Sequence, residues 1–115
     1  MKLSLVAEES DVYLIRSEGQ ITQYEFRNGY EPISELLGPE IYSKRVLLSL
    51  AGSHYIDSSG ISWLIQAHNR FKTRNGRLVI YDLQPFVKNV MDSMSMPQVL
   101  YLASDEKSAR ELAKG

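Results

Sequence analysis

Tyr55-Ile56-Asp57-Ser58-Ser59-Gly60 joins two stretches of opposite character. Before it, Arg45-Val46-Leu47-Leu48-Ser49-Leu50-Ala51 is an almost unbroken β-branched and leucine-rich run, the composition of a strand buried on both faces. After it, Ile61, Leu64, Ile65, His68 and Phe71 recur at three- and four-residue spacing, which lines them along one face of a helix. Asp57 followed by two serines suits the start of that helix, because a side-chain oxygen can accept one of the orphaned backbone N–H groups. An anion placed there meets the positive end of the helix dipole.

Outward from this junction the pattern continues to alternate. Asn75-Gly76 closes the helix, since both residues tolerate the left-handed conformation. Arg77–Leu83 reads as the next strand, Pro85 opens a helix with Phe86, Val87, Val90, Met91 and Met94 at helical spacing, and Pro97 ends it. Val99–Leu102 reads as a short strand, and Ser104 as the cap of a last helix built on Ala109, Leu112 and Ala113. On the amino-terminal side, Leu3–Val6 and Val12–Arg16 flank the polar Glu8–Asp11 as a hairpin, which Gly19–Thr22 closes or extends. Arg27-Asn28-Gly29 is a turn signal. Pro32 then opens a short helix carrying Ile33, Leu36 and Leu37, stopped by Gly38-Pro39. Strands alternating with helices after residue 45 predict an α/β domain (α+β by some counts): a small, mixed but mainly parallel sheet of about 4–5 strands, entered through an antiparallel hairpin.

An apolar strand, a short loop with an apolar residue before the aspartate, and Asp57-Ser58-Ser59-Gly60-Ile61 opening an amphipathic helix together resemble the STAS domain family, the bacterial anti-sigma-factor antagonists and their relatives. The resemblance runs through residues 44 to 113 and includes the Arg77–Leu83 strand and the Pro85-Phe86-Val87 pattern. It implies helices largely on one side of the sheet, with the Ser58 end at the carboxyl edge of a strand, where sites in open α/β sheets gather. It further implies a non-enzymatic regulatory module whose first serine after the aspartate, Ser58, is phosphorylated by a partner serine kinase that is also an anti-sigma factor, with a phosphatase reversing the mark. Tyr55, Ile56, Asp57, Ser59 and Gly60 then form the loop around the phosphorylated residue, Ser59 acting on loop shape and dephosphorylation. The 20–44 region departs from the family's pattern, which usually has a longer and more regular helix there, and is read as a place for partner specificity.

A chain of 115 residues is the size of one domain, here 1–115, and can bury a core of its own. With 43% hydrophobic and 23% charged residues and a net charge of -1, it falls in the ordinary soluble class rather than among nucleic-acid binders. The absence of cysteine excludes disulfides and cysteine-based metal or redox sites. No apolar run approaches the roughly 18 residues of a membrane span, and Met1–Val6 lacks the apolar centre of a signal peptide, so a cytoplasmic protein is expected.

Two rival readings stand beside this one. A serine hydrolase would use Ser58 with His54 or His68, but a nucleophile elbow needs Gly-x-Ser-x-Gly, and Ile56 stands where the first glycine belongs. Two isolated histidines make no metal site, and no phosphate-binding glycine motif points to a cofactor. The stronger rival is a STAS-type scaffold or interaction subunit of another signalling or transport assembly, without a phospho-switch. Trp63, which falls off the main apolar stripe, Met94 and Met96 are candidate partner contacts, a place in the core being the alternative for each.

Overall fold

The computed structural model describes residues 1–22 and 31–114. β1 (Lys2–Glu9) and β2 (Val12–Glu18) form an antiparallel hairpin whose turn narrows to Ser10 and Asp11, with Ser10 at φ 49°. β3 (Arg45–Gly52), β4 (Arg77–Tyr81) and β5 (Tyr101–Ala103) then add in parallel, giving one sheet in the order β1-β2-β3-β4-β5. The intervening helices are α1 (Pro32–Leu37), α2 (Ser58–Thr73) and α3 (Pro85–Ser93), and α4 (Glu106–Lys114) follows β5.

The period of two in β3 divides the core. Val46, Leu48 and Leu50 join Ile15, Leu78 and Ile80 on one face, packed against Ile33 of α1, Ile61, Leu64, Ala67 and Phe71 of α2, and Val87 and Met91 of α3. Leu47 points the other way with Leu14, Val79 and Tyr81, beneath Ala109 and Ala113 of α4. Three helices thus share one face and α4 takes the other, the largely one-sided arrangement that the resemblance implied. Leu47 and Leu48 are both fully buried, and each side chain removed from water contributes about 1.5–3 kcal/mol. A two-sided core of this kind is what fixes β3, and with it the loop that β3 delivers.

Helix ends follow the local chemistry with some shifts. Asn75 closes α2 at φ 65°, and Gly76 leaves no room for a Cβ beside the carbonyls of Tyr42 and Lys44. β4 stops at Tyr81 rather than Leu83, because Asp82 turns the chain with φ 56°. α3 ends at Ser93, before Pro97; Ser95 is left-handed and Met96–Gln98 make a 3-10 turn. The last strand begins at Tyr101, two residues later than Val99, whose side chain is exposed while Leu100 enters the core. Ser104 does not cap α4. Asp105 does, its Oδ1 accepting from Ser108 N at 2.8 Å, and these bonds hold its carboxyl below the usual range. Gly19–Thr22 does not extend β2 either, since Ile21 pairs with Ile56 in a single parallel bridge. The expected Arg27–Gly29 turn lies outside the described residues.

Candidate functional site

β3 ends in the middle of the sheet, and the chain crosses to α2 through a loop anchored from below. Ser17 and Ser53, both fully buried, share a hydroxyl–hydroxyl bond of 2.8 Å, and Gly19 N donates to Gly52 O at 2.9 Å. Ile21 N donates to Tyr55 O at 3.0 Å and Asp57 N to Ile21 O at 3.2 Å, so Ile21 and Ile56 are held side by side under the loop. Asp57 is the N-cap of α2: its backbone is extended, its Oδ1 accepts from Gly60 N at 3.0 Å, and its carbonyl accepts from Ile61 N at 3.1 Å. Gly60 is glycine for closeness. A Cβ there would lie 2.6 Å from Ile56 Cγ1 and 2.7 Å from Ile21 O.

Ser58 is the first residue of α2 and is exposed, and among the described residues its hydroxyl has no hydrogen-bond partner. Ser59 is half-buried beside it. The first turn of α2 carries no acidic side chain, and Asp57 caps it. Across the same edge of the sheet, Gln84 Nε2 donates to Ala51 O at 2.6 Å and holds the start of α3 against the end of β3. Phe86 consequently stacks on Tyr55, ring centroids 5.2 Å apart and planes 16° from parallel. The pair remains 48% and 41% exposed, an aromatic platform on the loop that leads to Ser58. Helical spacing groups Phe86 with Val87, Val90, Met91 and Met94, but its ring lies outside the core against Tyr55, 31 residues earlier.

The STAS domain family model matches residues 5–109. The chain belongs to the STAS domain family. Its fold is similar to that of a candidate anti-sigma factor antagonist of Thermotoga maritima (TM-score 0.83, 12% identity, 98% of this chain and 95% of the other covered). It is also similar to the anti-sigma factor antagonist SpoIIAA in its unphosphorylated form (TM-score 0.65, 15% identity, 98% of each chain). A third likeness is to the Bacillus cell fate determinant SpoIIAA in the phosphorylated form (TM-score 0.64, 15% identity, 96% of this chain and 98% of the other).

In this STAS domain the other candidate residues separate. His68 lies ten residues along α2 from Ser58, about 15 Å at the helical rise, and His54 is exposed and makes no hydrogen bond among the described residues. Neither histidine is therefore engaged with Ser58. Trp63 is 5% exposed and belongs to the core, with Nε1 donating to Glu31 Oε2 at 2.7 Å; Met96 is buried as well. Of the three candidate partner contacts, only Met94 presents its side chain to solvent. Glu31 itself escaped the sequence reading. This buried carboxylate caps α1, accepting from Ile33 N at 3.0 Å and Ser34 N at 3.3 Å, and also receives the Tyr42 hydroxyl at 2.5 Å. Burial and that bond to Glu31 raise the Tyr42 pKa. Glutamate immediately before a proline at the first helical position was the available signal, because it occupies a cap site that Ser, Thr, Asp or Asn normally fills.

Proposed function

We propose that this STAS domain is a non-enzymatic regulatory module that binds a protein partner and is switched by reversible phosphorylation of Ser58. The partner in this reading is an anti-sigma factor with serine kinase activity, a phosphatase restores the unmodified form, and the setting is the cytoplasm. The observation that carries the proposal is the state of Ser58: an exposed hydroxyl with no hydrogen-bond partner among the described residues, at the start of a capped helix and next to the Tyr55–Phe86 platform. A kinase needs a reachable hydroxyl, and a partner surface needs apolar area beside it. The SpoIIAA structures, one unphosphorylated and one phosphorylated, lend support through the shared fold.

The physics separates folding from binding. A phosphate brings about -1.5 to -2 charge to a helix start where the dipole is worth ~0.3–1 kcal/mol in its favour, so the domain tolerates it. A partner closing over the same spot must desolvate that charge beside Asp57, at several kcal/mol. Since ~1.4 kcal/mol is tenfold in affinity, release follows.

The test uses Ser58→Ala and Ser58→Asp against the partner recovered by pull-down from the native lysate. Because Asp57 supplies the cap bond, Ser58→Ala should alter stability by no more than ~0.5 kcal/mol, keep the partner's affinity and resist phosphorylation. Ser58→Asp should fold, as circular dichroism would show, and bind at least about tenfold more weakly in calorimetry. Equal affinities for the two variants would sink the charge switch, and phosphate mapped to Ser59 rather than Ser58 would sink the residue assignment.

A further inference from the structure

At the edge of the sheet opposite Ser58, where β3, β4 and β5 begin, a cleft of about 330 Å³ is lined by Arg45, His68, Lys72, Arg77, Tyr101 and Lys114, and among the described residues no aspartate or glutamate lines it. Its size is at the lower end of the range for small-ligand sites, roughly 300–1,000 Å³. The cations come from β3, α2, β4 and α4 in a chain whose net charge is only -1, so their convergence is not a by-product of a basic composition. Among the described residues none of Arg45, Lys72, Arg77 and Lys114 has a carboxylate partner, whereas Arg110 on the same α4 is paired with Glu9 at 2.7 Å and Glu106 at 3.0 Å. Clustered like charges repel one another, a cost that a bound anion removes.

Two of the groups are also held in place. Arg77 donates from Nη1 to Leu112 O at 2.7 Å and lies over the Tyr101 ring at 4.4 Å, which fixes its guanidinium at the wall of the cleft. His68 is only 8% exposed, its ring 5.3 Å from that of Tyr101, and its Nδ1 is buried without a hydrogen-bond partner. A buried polar atom in that condition is uncommon in a folded protein and calls for a function.

We propose that this cleft is a binding site for a small phosphate-type dianion, free or carried on a phosphate ester, received by Arg77, Lys72, Arg45 and Lys114 with the His68 ring beside them. The guanidinium forks suit a tetrahedral, multiply accepting oxyanion better than a halide. The site stands apart from Ser58 and does not depend on the phospho-switch.

The experiment is an NMR titration of the full chain with inorganic phosphate, and separately with ribose 5-phosphate, against sodium chloride at matched ionic strength. Saturable shifts are expected at His68, Lys72, Gly76 and Arg77 but not at Ser58. The His68 pKa, lowered by burial and by Lys72, should rise when phosphate is added; the other charged and titratable groups lining the cleft are Arg45, Lys72, Arg77, Tyr101 and Lys114. Tighter binding of the ester would identify an ester as the natural source, and equal or weaker binding the free ion. Arg45→Gln and Lys72→Gln, both at exposed positions that the fold does not need, should each weaken binding about tenfold by removing a charge-assisted hydrogen bond. Shifts that grow linearly and match those with chloride, or saturable binding undiminished in both variants, would overturn the proposal.

Discussion

Gly60→Ala sets two effects of opposite sign against each other inside α2. By intrinsic propensity, alanine in place of glycine favours a helix by about 1 kcal/mol. The surroundings oppose it: the new Cβ would stand 2.6 Å from Ile56 Cγ1, 2.7 Å from Ile21 O and 2.9 Å from Ile21 Cγ2, all well inside ordinary contact. Two of the three atoms belong to Ile21, whose N–H and C=O are bonded to Tyr55 and Asp57 at 3.0 and 3.2 Å, so neither can retreat without stretching the bridge beneath the loop. Overpacking of this kind costs roughly 1–3 kcal/mol, and each weakened backbone bond adds about 0.5–1.5 kcal/mol. The clash outweighs the propensity, leaving a net loss of about 1–3 kcal/mol, or a fall in Tm of roughly 4–12 °C for a domain of this size. Thermal and urea melts measure it, with Ser62→Ala as the control, since that exposed helical position should stay within ~0.5 kcal/mol of the parent. Faster hydrogen exchange at the Ile21 and Asp57 amides should accompany the loss. A Gly60→Ala variant as stable as the parent would refute the idea that close packing under the loop, rather than helix chemistry, dictates glycine here.

Glu31→Ala should cost on the order of 3–5 kcal/mol in urea unfolding, because it strips a helix cap and leaves the buried Trp63 Nε1 and Tyr42 hydroxyl without their acceptor. Phe86→Ala should change stability by less than about 1 kcal/mol, the ring being half-exposed, while weakening the partner captured with Ser58→Ala; calorimetry against that partner decides it. His68 makes stability pH-dependent. Its folded pKa lies below the ordinary 6.5, so in phosphate-free buffer its contribution is complete above that value and is lost as pH falls through the folded pKa; urea melts of the parent should show the decline, and His68→Gln should flatten it.

The parts of this domain that could be read in advance are those written in consecutive residues. Arg45–Gly52 announces a doubly buried strand by composition, Asp57 announces a cap by its place before an amphipathic stripe, and Asn75-Gly76 announces a stop. What escaped depends on residues far apart in sequence. Glu31 looks like a surface acid until Tyr42 and Trp63, 11 and 32 positions later, close over it. Ser17 and Ser53 look like loop serines until they meet at a separation of 36. Spacing groups Phe86 with Val87 and Met91 and cannot show that its ring stacks outside the core on Tyr55. The basic cleft is invisible for the same reason, its cations being spread from Arg45 to Lys114.

The order β1-β2-β3-β4-β5 has a consequence for how the chain is made. Every strand pairs with the one synthesised just before it, so none must later be inserted between two already joined, and the sheet can grow in step with emergence from the ribosome. The first face is covered as it grows, since α2 and α3 emerge between the strands they shield. The second is not. Leu14, Leu47 and Val79 wait for Ala109 and Ala113, in the helix that follows β5, so this surface is the one a nascent chain must keep from its neighbours until α4 arrives.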